Sequence, residues 1–337
     1  MAPPIRLVRT QNVLKIFPDL QIGTLRAINM YRGKSVAVVI PAYNEEELIG
    51  ETLLSIPGYV DNVYAVDDCS SDRTGDVIRN YAQKDRKIHP VLREKNGGVG
   101  AAIVSGYKDA LRDGNDLIAI MAGDNQMDPT YLPNLLDPIV DGTTDFTKGN
   151  RLKPGYWKGM SKWRLFGNLL LNMLNKIASG YWDVSDPQNG YVVISSTALS
   201  KLDLDKLYPR YAFENDMMIK SNIAGIHMMN VYVPARYGRE KSHIRYGSFT
   251  VKTSIFLLKS FIWRVGVKFL QYQHPIYLTY ALGMLLMALG SVAVLFGEWR
   301  ILPLGIVLFV IACVGEAKQT IRPVTDSATD PIMQVNR

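Results

Sequence analysis

Short apolar runs separated by stretches of helical spacing organise residues 35–233 of the chain. The runs that predict strands are VAVVI (36–40), NVYAV (62–66), IHPVL (88–92) and LIAIMA (117–122). Three of the four are too apolar to alternate between two faces, as is typical of parallel strands that are covered on both sides. Apolar stripes at helical spacing lie between them, and this βαβα order predicts an α/β fold with a doubly wound sheet.

Beyond Asp145 the alternation becomes less regular. The pattern there predicts a long helix over about 160–178, a strand at 191–195, a helix over about 215–224 and a strand within 227–235.

Two uncharged apolar stretches lie near the end of the sequence. The first, Ile276–Gly297, has 22 residues, and about 20 are enough to cross a hydrocarbon core of ~30 Å. After the interruption EWR (298–300), a second run extends from Ile301 to Gly315 and can be continued to Ala317. Together they predict a two-helix transmembrane hairpin over about 276–297 and 301–317; the alternative is a buried helix pair in a soluble core.

Residues 249–274 mix large apolar side chains with four cations, which are Lys252, Lys259, Arg264 and Lys268. This mixture predicts amphipathic juxtamembrane helices that lie at the membrane interface. Because both flanks of the hairpin are basic and its turn is short, the positive-inside rule predicts a multi-pass protein of the cell membrane. Its large domain and both termini, including the tail 318–337, are then cytoplasmic.

The amino-acid composition limits the classes of molecule that the protein is expected to bind. The net charge of +7 suits nucleic acid, an anionic membrane or a phosphorylated substrate. No recognised nucleic-acid module is found, so we predict no nucleic-acid partner. The two cysteines argue against a disulfide framework. The first 35 residues hold no apolar segment of signal-peptide length and are treated as an N-terminal extension.

Acids and amides follow two of the predicted strands. Asp67 and Asp68 end the second strand in VDDCSSDRT, and AGDNQMDP follows the fourth. Caps and turns use the same residues, but ligands of open α/β sheets bind at the carboxyl ends of strands. Adjacent acids there suit the N–H and O–H donors of a base or ribose. The glycine-rich EKNGGVGAAIVSG follows the third strand rather than the first, so a dehydrogenase fingerprint is weakly supported.

Four motifs in order, VVIPAYNEEELI, VDDCSSDRT, NGGVGAA and AGDNQMDP, resemble the family-2 inverting glycosyltransferases of the GT-A fold. The similarity covers roughly residues 36–245. Within that family, GNRL (149–152), ENDM (214–217), a basic loop and a C-terminal hairpin resemble polyprenyl-phosphate glycosyltransferases of the dolichol-phosphate mannose synthase type. The resemblance implies a Rossmann-like nucleotide-diphospho-sugar transferase domain over 36–248, juxtamembrane helices over 249–274 and two transmembrane helices within 275–317.

The resemblance implies a donor site for a UDP- or GDP-sugar. Its expected residues are Pro41, Tyr43, Glu45, Asp67, Asp68, Asn96, Gly97, Asp124, Gln126, Asp186, Gln188 and Asn189. The family holds a divalent cation with an Asp-x-Asp motif followed by Gln. Here Ala122 replaces the first acid, and Asp124 and Gln126 match the others. Their oxygens suit Mg²⁺ or Mn²⁺, whereas a turn without metal is the alternative.

The resemblance also implies an acceptor site for a polyprenyl phosphate at the lipid bilayer. Its expected residues are Arg151, Arg164, Asn168, Arg239, Lys241 and Ser242. We expect Asp124, Asp216, Arg151 and Arg164 to act in catalysis, with Asp216 at the family's usual base position. Because a phosphate is already an anion, it needs little help from a general base.

The predicted activity is therefore sugar transfer, with inversion at the anomeric carbon, from a nucleotide sugar to a polyprenyl phosphate. Two alternatives stay open: another membrane-bound family-2 enzyme with a hydroxyl acceptor, and a catalytically idle scaffold that binds nucleotide sugars. A polysaccharide synthase would need more spans and a Gln-x-x-Arg-Trp motif, and neither is found. A two-span anchor is also compatible with a homo-oligomer.

Overall fold

The computed structural model of the protein describes residues 30–152, 162–234 and 246–320. The chain divides into two units, and the first comprises Met1–Thr147, Gly190–Tyr211 and Ala235–Glu240. The second comprises Lys148–Asn189, Ala212–Pro234 and Lys241–Arg337. Most of the predicted N-terminal extension (1–29) and of the tail (321–337) lies outside the described residues.

A mixed sheet forms the centre of the first unit. The strands of the chain are β1 (Val36–Ala42), β2 (Asn62–Asp67), β3 (Ile88–Leu92), β4 (Leu117–Ile120), β5 (Phe146–Asn150), β6 (Val192–Ser195) and β7 (Met228–Tyr232). In the first unit they lie in the order β3-β2-β1-β4-β6, with the start of β5 beside β6. The strands β1 to β4 are parallel, and β6 is antiparallel to β4. The predicted α/β class is thereby confirmed.

The helices of the first unit follow the strands. They are α1 (Ile49–Ser55), α2 (Thr74–Lys84), α3 (Val99–Arg112), α4 (Leu132–Val140) and a one-turn helix at Ser196–Leu199; Pro129–Tyr131 and Leu204–Lys206 are 3₁₀ turns. Every residue of β1 is buried, which explains why its sequence is a continuous apolar run. Helix α3 packs against β1 and β2. At the closest point, a Cβ added to Gly106 would lie 2.4 Å from Cγ1 of the fully buried Val39.

Within its described residues, the second unit consists of five helices, the end of β5 and β7. They are α5 (Lys162–Ser179), α6 (Phe213–Ile223), α7 (Tyr246–Tyr272), α8 (Pro275–Val294) and α9 (Ile301–Thr320). One apolar cluster takes buried side chains from all of them: Ala178, Ile219, Leu257, Phe261, Val265, Tyr280 and Ala312. The two C-terminal helices therefore share a core with the helices that precede them.

Helices α8 and α9 are each 20 residues long, with mean hydropathies of 1.8 and 2.0 in their most apolar windows. Both are long and apolar enough to cross a membrane. Only 17% of each window is buried, which argues against the alternative of a helix pair inside a soluble core. Glycines bring the two backbones into contact, since a Cβ on Gly305 would lie 2.5 Å from the Met287 nitrogen. Such close packing through small residues is common between membrane helices.

The segment before the hairpin forms a single helix, α7, in which Lys252 and Lys259 are exposed. Arg264 is 0% exposed and Lys268 is 7% exposed, so two of the four cations lie inside the second unit, and the interfacial placement of the segment stays a prediction. Arg264 turns inward because it has buried hydrogen-bond acceptors on neighbouring elements.

Two elements were not predicted, β5 and α4. The sequence of β5, FTKGN, is mostly polar, although all five residues are buried. Thr147 is satisfied by donating to the Leu135 carbonyl at 2.7 Å. The other predicted strands and helices lie within a few residues of their expected positions. The domain boundaries at 36–248, 249–274 and 275–317 stay a prediction.

We expect Gly106→Ala to destabilise the first unit by about 1–3 kcal/mol, because its Cβ would overlap the buried Val39 side chain. Thermal unfolding of the purified protein in detergent measures the change. The matched control is Gly266→Ala in α7, where a Cβ meets no described atom within 4 Å. That variant should unfold at the wild-type temperature or slightly above it. Equal melting temperatures for the two variants would contradict the close approach.

Candidate functional site

The carboxyl ends of β1 to β4 lie at one edge of the sheet, because these strands are parallel. The loops that follow three of them each contain a non-glycine residue with positive φ: Asn44 (56°), Cys69 (61°) and Asn125 (59°). Residues held in this sparsely populated region are concentrated at functional sites. This edge carries the predicted donor residues of the first unit, namely Pro41, Tyr43, Glu45, Asp67, Asp68, Asn96, Gly97, Asp124 and Gln126.

The β1 and β2 loops are fixed to each other by hydrogen bonds. The Asn44 amide donates to Ser70 Oγ at 2.9 Å, and the Glu45 amide donates to Thr74 Oγ1 at 2.8 Å. Tyr43 is 49% exposed beside them, so its ring is open to a ligand. Pro41 is buried within β1, where its carbonyl accepts from the Gly123 amide at 3.1 Å. Its observed role is to hold the β4 loop.

Asp68 is already bonded to the protein through both carboxylate oxygens. It is 2% exposed and accepts from the Gly97 and Gly98 amides at 3.0 and 2.7 Å. It also pairs with Arg93 Nε at 2.8 Å. Asp68 thus shapes the loop that presents Asn96 and Gly97, and Arg93 is a supporting residue that the motif analysis missed. Gly98 has φ +93°, and a Cβ there would lie 2.8 Å from the Pro209 carbonyl.

Asp67 is also engaged close to its own position. Its Oδ1 accepts from the Ser70 amide at 3.0 Å and from the Ser70 hydroxyl. The carboxylate is 8% exposed. It therefore fixes the turn after β2 that carries the bonds to Asn44.

Asp124 and Gln126 lie in the loop that follows β4. Asp124 Oδ1 accepts from the Gln126 amide at 3.1 Å. The loop is tied to α1, since Thr52 donates to the Gly123 carbonyl at 3.1 Å. Burial, followed by the charges of Asp124 and Asp72, raises the pKa of the Glu45 carboxyl to about 7. The loops after β1, β2 and β4 therefore bring acidic side chains close enough to influence one another.

The donor set at this loop fits a divalent cation that shares its coordination with a ligand. A carboxylate and an amide oxygen are hard donors suited to Mg²⁺ or Mn²⁺, and Ala122 contributes no side-chain donor. Among the described residues no group of three or more His, Cys, Asp or Glu side chains could hold a metal. A closed site made only of protein ligands is therefore not present in that part of the chain.

In the second unit, the partly exposed Arg151 forms an ion pair with the buried Asp186. Arg151 Nε and Nη2 donate to the two Asp186 oxygens at 2.7 and 2.9 Å, and the Arg151 amide donates at 2.9 Å. Asp186 is 4% exposed and has φ +55°. Burial alone would raise the pKa of Asp186, but the Arg151 guanidinium holds it below its usual range. The structure thus joins a predicted acceptor residue to a predicted donor residue.

Lys148 is a buried cation that the sequence analysis did not select. It is 1% exposed, and its Nζ donates to the Asn189 carbonyl. Burial lowers the pKa of its ammonium from 10.5 to about 8, against the attraction of Glu214 and Asp186. Burial in turn raises the pKa of the Glu214 carboxyl. Its position directly before the GNRL motif could have indicated a role for this lysine. Its burial could not be predicted, because no strand was predicted at 146–150.

The other predicted residues of the second unit differ in how far they are described. Gln188 is half-buried next to Asn189. Asp216 is 5% exposed on α6 and accepts from Lys220 Nζ at 2.5 Å, so its carboxylate has a cationic partner in its own helix. Arg164 and Asn168 lie on α5, but their side chains are outside the described part. Arg239, Lys241 and Ser242 lie outside the described residues altogether.

Comparison with known proteins assigns the chain to a family. The model described as Glycosyl transferase family 2 matches residues 37–203. A UDP-N-acetylglucosamine–dolichyl-phosphate N-acetylglucosaminyltransferase of Methanococcus voltae is 28% identical, over 59% of this chain and 86% of the relative. An undecaprenyl-phosphate mannosyltransferase of Micrococcus luteus is 29% identical, over 61% of this chain and 86% of the relative.

A solved structure shares the fold. Glucosyl-3-phosphoglycerate synthase of Mycobacterium tuberculosis, in complex with Mn²⁺, UDP-glucose and phosphoglyceric acid, aligns with a TM-score of 0.52 at 22% identity. The alignment covers 72% of this chain and 85% of that structure. The resemblance drawn from the motifs is confirmed. The protein belongs to glycosyl transferase family 2, and it is a glycosyltransferase with a GT-A-like α/β fold followed by two apolar helices that could form a transmembrane hairpin.

Proposed function

We propose that this glycosyltransferase moves a sugar from a nucleotide-diphosphate sugar to a polyprenyl phosphate, giving a polyprenyl-monophosphate-linked sugar. One structural observation supports this acceptor in addition to the family membership. Helices α5 and α6, which carry Arg164 and Asp216, share one buried core with the membrane-capable helices α8 and α9. Residues assigned to the acceptor therefore belong to the same packed unit as the hairpin. The names of the two relatives, which specify dolichyl and undecaprenyl phosphate, support this acceptor class.

The donor contacts are assigned to the first unit. Tyr43 offers an exposed ring to a base, while Glu45 and the strained loops offer acceptors for ribose and base donors. Asp124 and Gln126 would hold a divalent cation together with the diphosphate of the donor, as the Mn²⁺ in the fold neighbour supports. When bound, that cation neutralises the charge of the leaving diphosphate.

The reaction is an in-line displacement. An oxygen of the lipid phosphate forms a bond to the anomeric carbon, and the bond from that carbon to the diphosphate oxygen breaks. The nucleoside diphosphate departs with the electron pair, and the anomeric centre is inverted. Since the nucleophile is already an anion, the protein's contribution is alignment and charge stabilisation rather than proton removal.

Two buried carboxylates then act as orienting groups in this proposal. Asp216 is paired with Lys220, and Asp186 is paired with Arg151. The oxygens of a paired carboxylate have further lone pairs that can accept hydrogen bonds from sugar hydroxyls. Arg151, held by Asp186, presents a fixed cation to a phosphate oxygen.

The membrane topology is part of the same proposal. Lys318 ends the second apolar helix, and Lys252 and Lys259 are exposed before the first. This distribution of positive charge supports a cytoplasmic position for the large domain and both termini.

The decisive test is transfer of labelled sugar from UDP- and GDP-sugars to undecaprenyl or dolichyl phosphate by the purified protein in detergent. We expect one donor to label the lipid with Mg²⁺ or Mn²⁺ present, and EDTA to stop the reaction. Asp124→Ala should lower the rate by about a hundredfold or more, because it removes the carboxylate proposed to hold the cation. Asp205→Ala, which removes an exposed carboxylate that pairs with Lys108 at the surface, is the matched control and should keep the wild-type rate.

Ala122 favours a second candidate, a scaffold that binds nucleotide sugars without transferring them. Binding of a nucleotide sugar without labelling of any lipid, under all the conditions above, would support that candidate and contradict the transferase proposal.

A pH prediction follows from Lys148, which faces Glu214, Asp186 and Arg151. As the pH rises through about 8, the ammonium is lost, and with it the charge that holds the Asn189 carbonyl. We expect kcat to fall with a midpoint near pH 8. Lys148→Arg should move this decline to higher pH because a guanidinium stays charged, whereas Lys108→Arg at the surface should not.

Unfolding does not account for such a decline. Between about pH 8 and 10.5 the unfolded chain keeps a proton that folded Lys148 has released, so this group alone makes the free energy of unfolding increase with pH. Melting temperatures recorded over the same pH range check this point. A wild-type profile without a decline near pH 8, or an unchanged midpoint in Lys148→Arg, would refute the assignment.

A further inference from the structure

A buried ion pair joins the hairpin to the helix that precedes the hairpin. Arg264 of α7 donates from Nη1 to Glu316 Oε1 at 2.6 Å and from Nη2 to Glu316 Oε2 at 3.1 Å. Arg264 is 0% exposed and Glu316 is 5% exposed. Glu316 lies near the C-terminal end of α9, after the uncharged run 301–315. An ionisable side chain in such a helix is expensive to bury and is commonly functional.

The pair also binds the end of α5. Arg264 Nε donates to the Ala178 carbonyl at 2.8 Å, and Nη2 donates to the Ile177 carbonyl at 3.0 Å. These are carbonyls of the last turn of α5, which a cation stabilises. The next residue after the helix, Gly180, has φ +77°, and a Cβ there would lie 2.4 Å from Arg264 Nη1. A side chain at position 180 would be strained by this φ and would overlap the Arg264 guanidinium, which explains why glycine occupies the position.

Two further donors complete the coordination of Glu316. Tyr280 of α8 donates its hydroxyl at 2.9 Å, and Trp182 donates from Nε1 at 3.3 Å. Thr320 adds a separate bond from α9 to the Gly180 carbonyl at 3.3 Å. The hairpin is thus bonded directly to the segment that begins at Gly180.

That segment leads to Asp186. Asn230 of β7 donates to the Asp183 carbonyl at 2.7 Å and accepts from the Ser185 amide at 3.1 Å. Asp186 then pairs with Arg151. The loop over 180–189 is therefore fixed at its start by the hairpin, in its middle by β7 and at its end by Arg151.

We propose that Arg264 and Glu316 are positioning residues, through which the hairpin holds the 180–189 segment and hence the Arg151–Asp186 pair in register for transfer. The assignment of Arg151 and Asp186 to substrate rests on the proposed function. Net stabilisation is a weak explanation for the pair, because replacing a buried ion pair with apolar residues of similar volume is often neutral or stabilising. What apolar residues cannot supply is a directed set of bonds to the α5 carbonyls and Trp182.

The test exploits that difference. The double variant Arg264→Met/Glu316→Leu keeps the volume of the pair and removes its bonds, and Lys259→Met removes an exposed cation from the same helix as a control. We expect the double variant to melt near the wild-type temperature. Amide hydrogen exchange within 180–189 should become at least about tenfold faster, whereas exchange in α1 to α3 stays unchanged. For transfer we expect kcat to fall by about ten- to a hundredfold, with an unchanged KM for the nucleotide sugar.

The outcomes separate the two proposals. Wild-type exchange in 180–189 together with wild-type kcat in the double variant would overturn the positioning role. Faster exchange there supports that role even if the wild-type protein labels no lipid, in which case the proposed function is the one that fails. If the double variant does not fold, Glu316→Gln, which keeps the side-chain volume, takes the same measurements.

Discussion

Every buried charge described here has to be compensated inside the protein, and this constraint shapes both units. An ion removed from water without a partner costs on the order of several kcal/mol. Asp68 therefore pairs with Arg93, Asp186 with Arg151 and Arg264 with Glu316. In the first two pairs both partners lie in loops, whereas Arg264 and Glu316 both lie on helices and Arg264 also bonds to the end of α5. These ion pairs therefore help to fix the conformations of the loops and of the chain after α5.

The same constraint separates residues that build the site from residues that can meet a ligand. Both carboxylate oxygens of Asp68 are bonded to Arg93 and to the Gly97 and Gly98 amides. Asp68 would therefore influence a nucleotide through the loop conformation that it stabilises. Glu45 differs, because the charges of Asp124 and Asp72 that act on its carboxyl are also negative. Acidic side chains close together at the end of a sheet strand suit a divalent cation, which is the role proposed for Asp124 and Gln126.

Most of the strands could be predicted because a strand that is buried on both faces appears in the sequence as an apolar run. β5 could not, since its buried polar residues Thr147 and Lys148 have hydrogen-bond partners 12 and 41 residues away in the sequence. The burial of Arg264 could not be predicted for the same reason, because an amphipathic pattern does not show which cation has buried partners elsewhere in the chain. Its acceptors are Glu316, 52 residues along the chain, and the α5 carbonyls, 86 and 87 residues away. Motifs located the acids at the strand ends, but only the structure shows which of them are already bonded.

The hairpin illustrates why an apolar helix pair needs specific contacts. Lipid tails are as apolar as leucine, so burying apolar surface between two membrane helices gains little. The close backbone approach at Gly290 and Gly305 supplies packing between α8 and α9, but packing alone does not fix the pair to the rest of its unit. Glu316 does so, because its carboxylate finds donors on α7, on α8 and at Trp182. Apolar packing alone would leave the hairpin without such a directed attachment, whereas the bonds of Glu316 and Thr320 join it to the chain that follows α5.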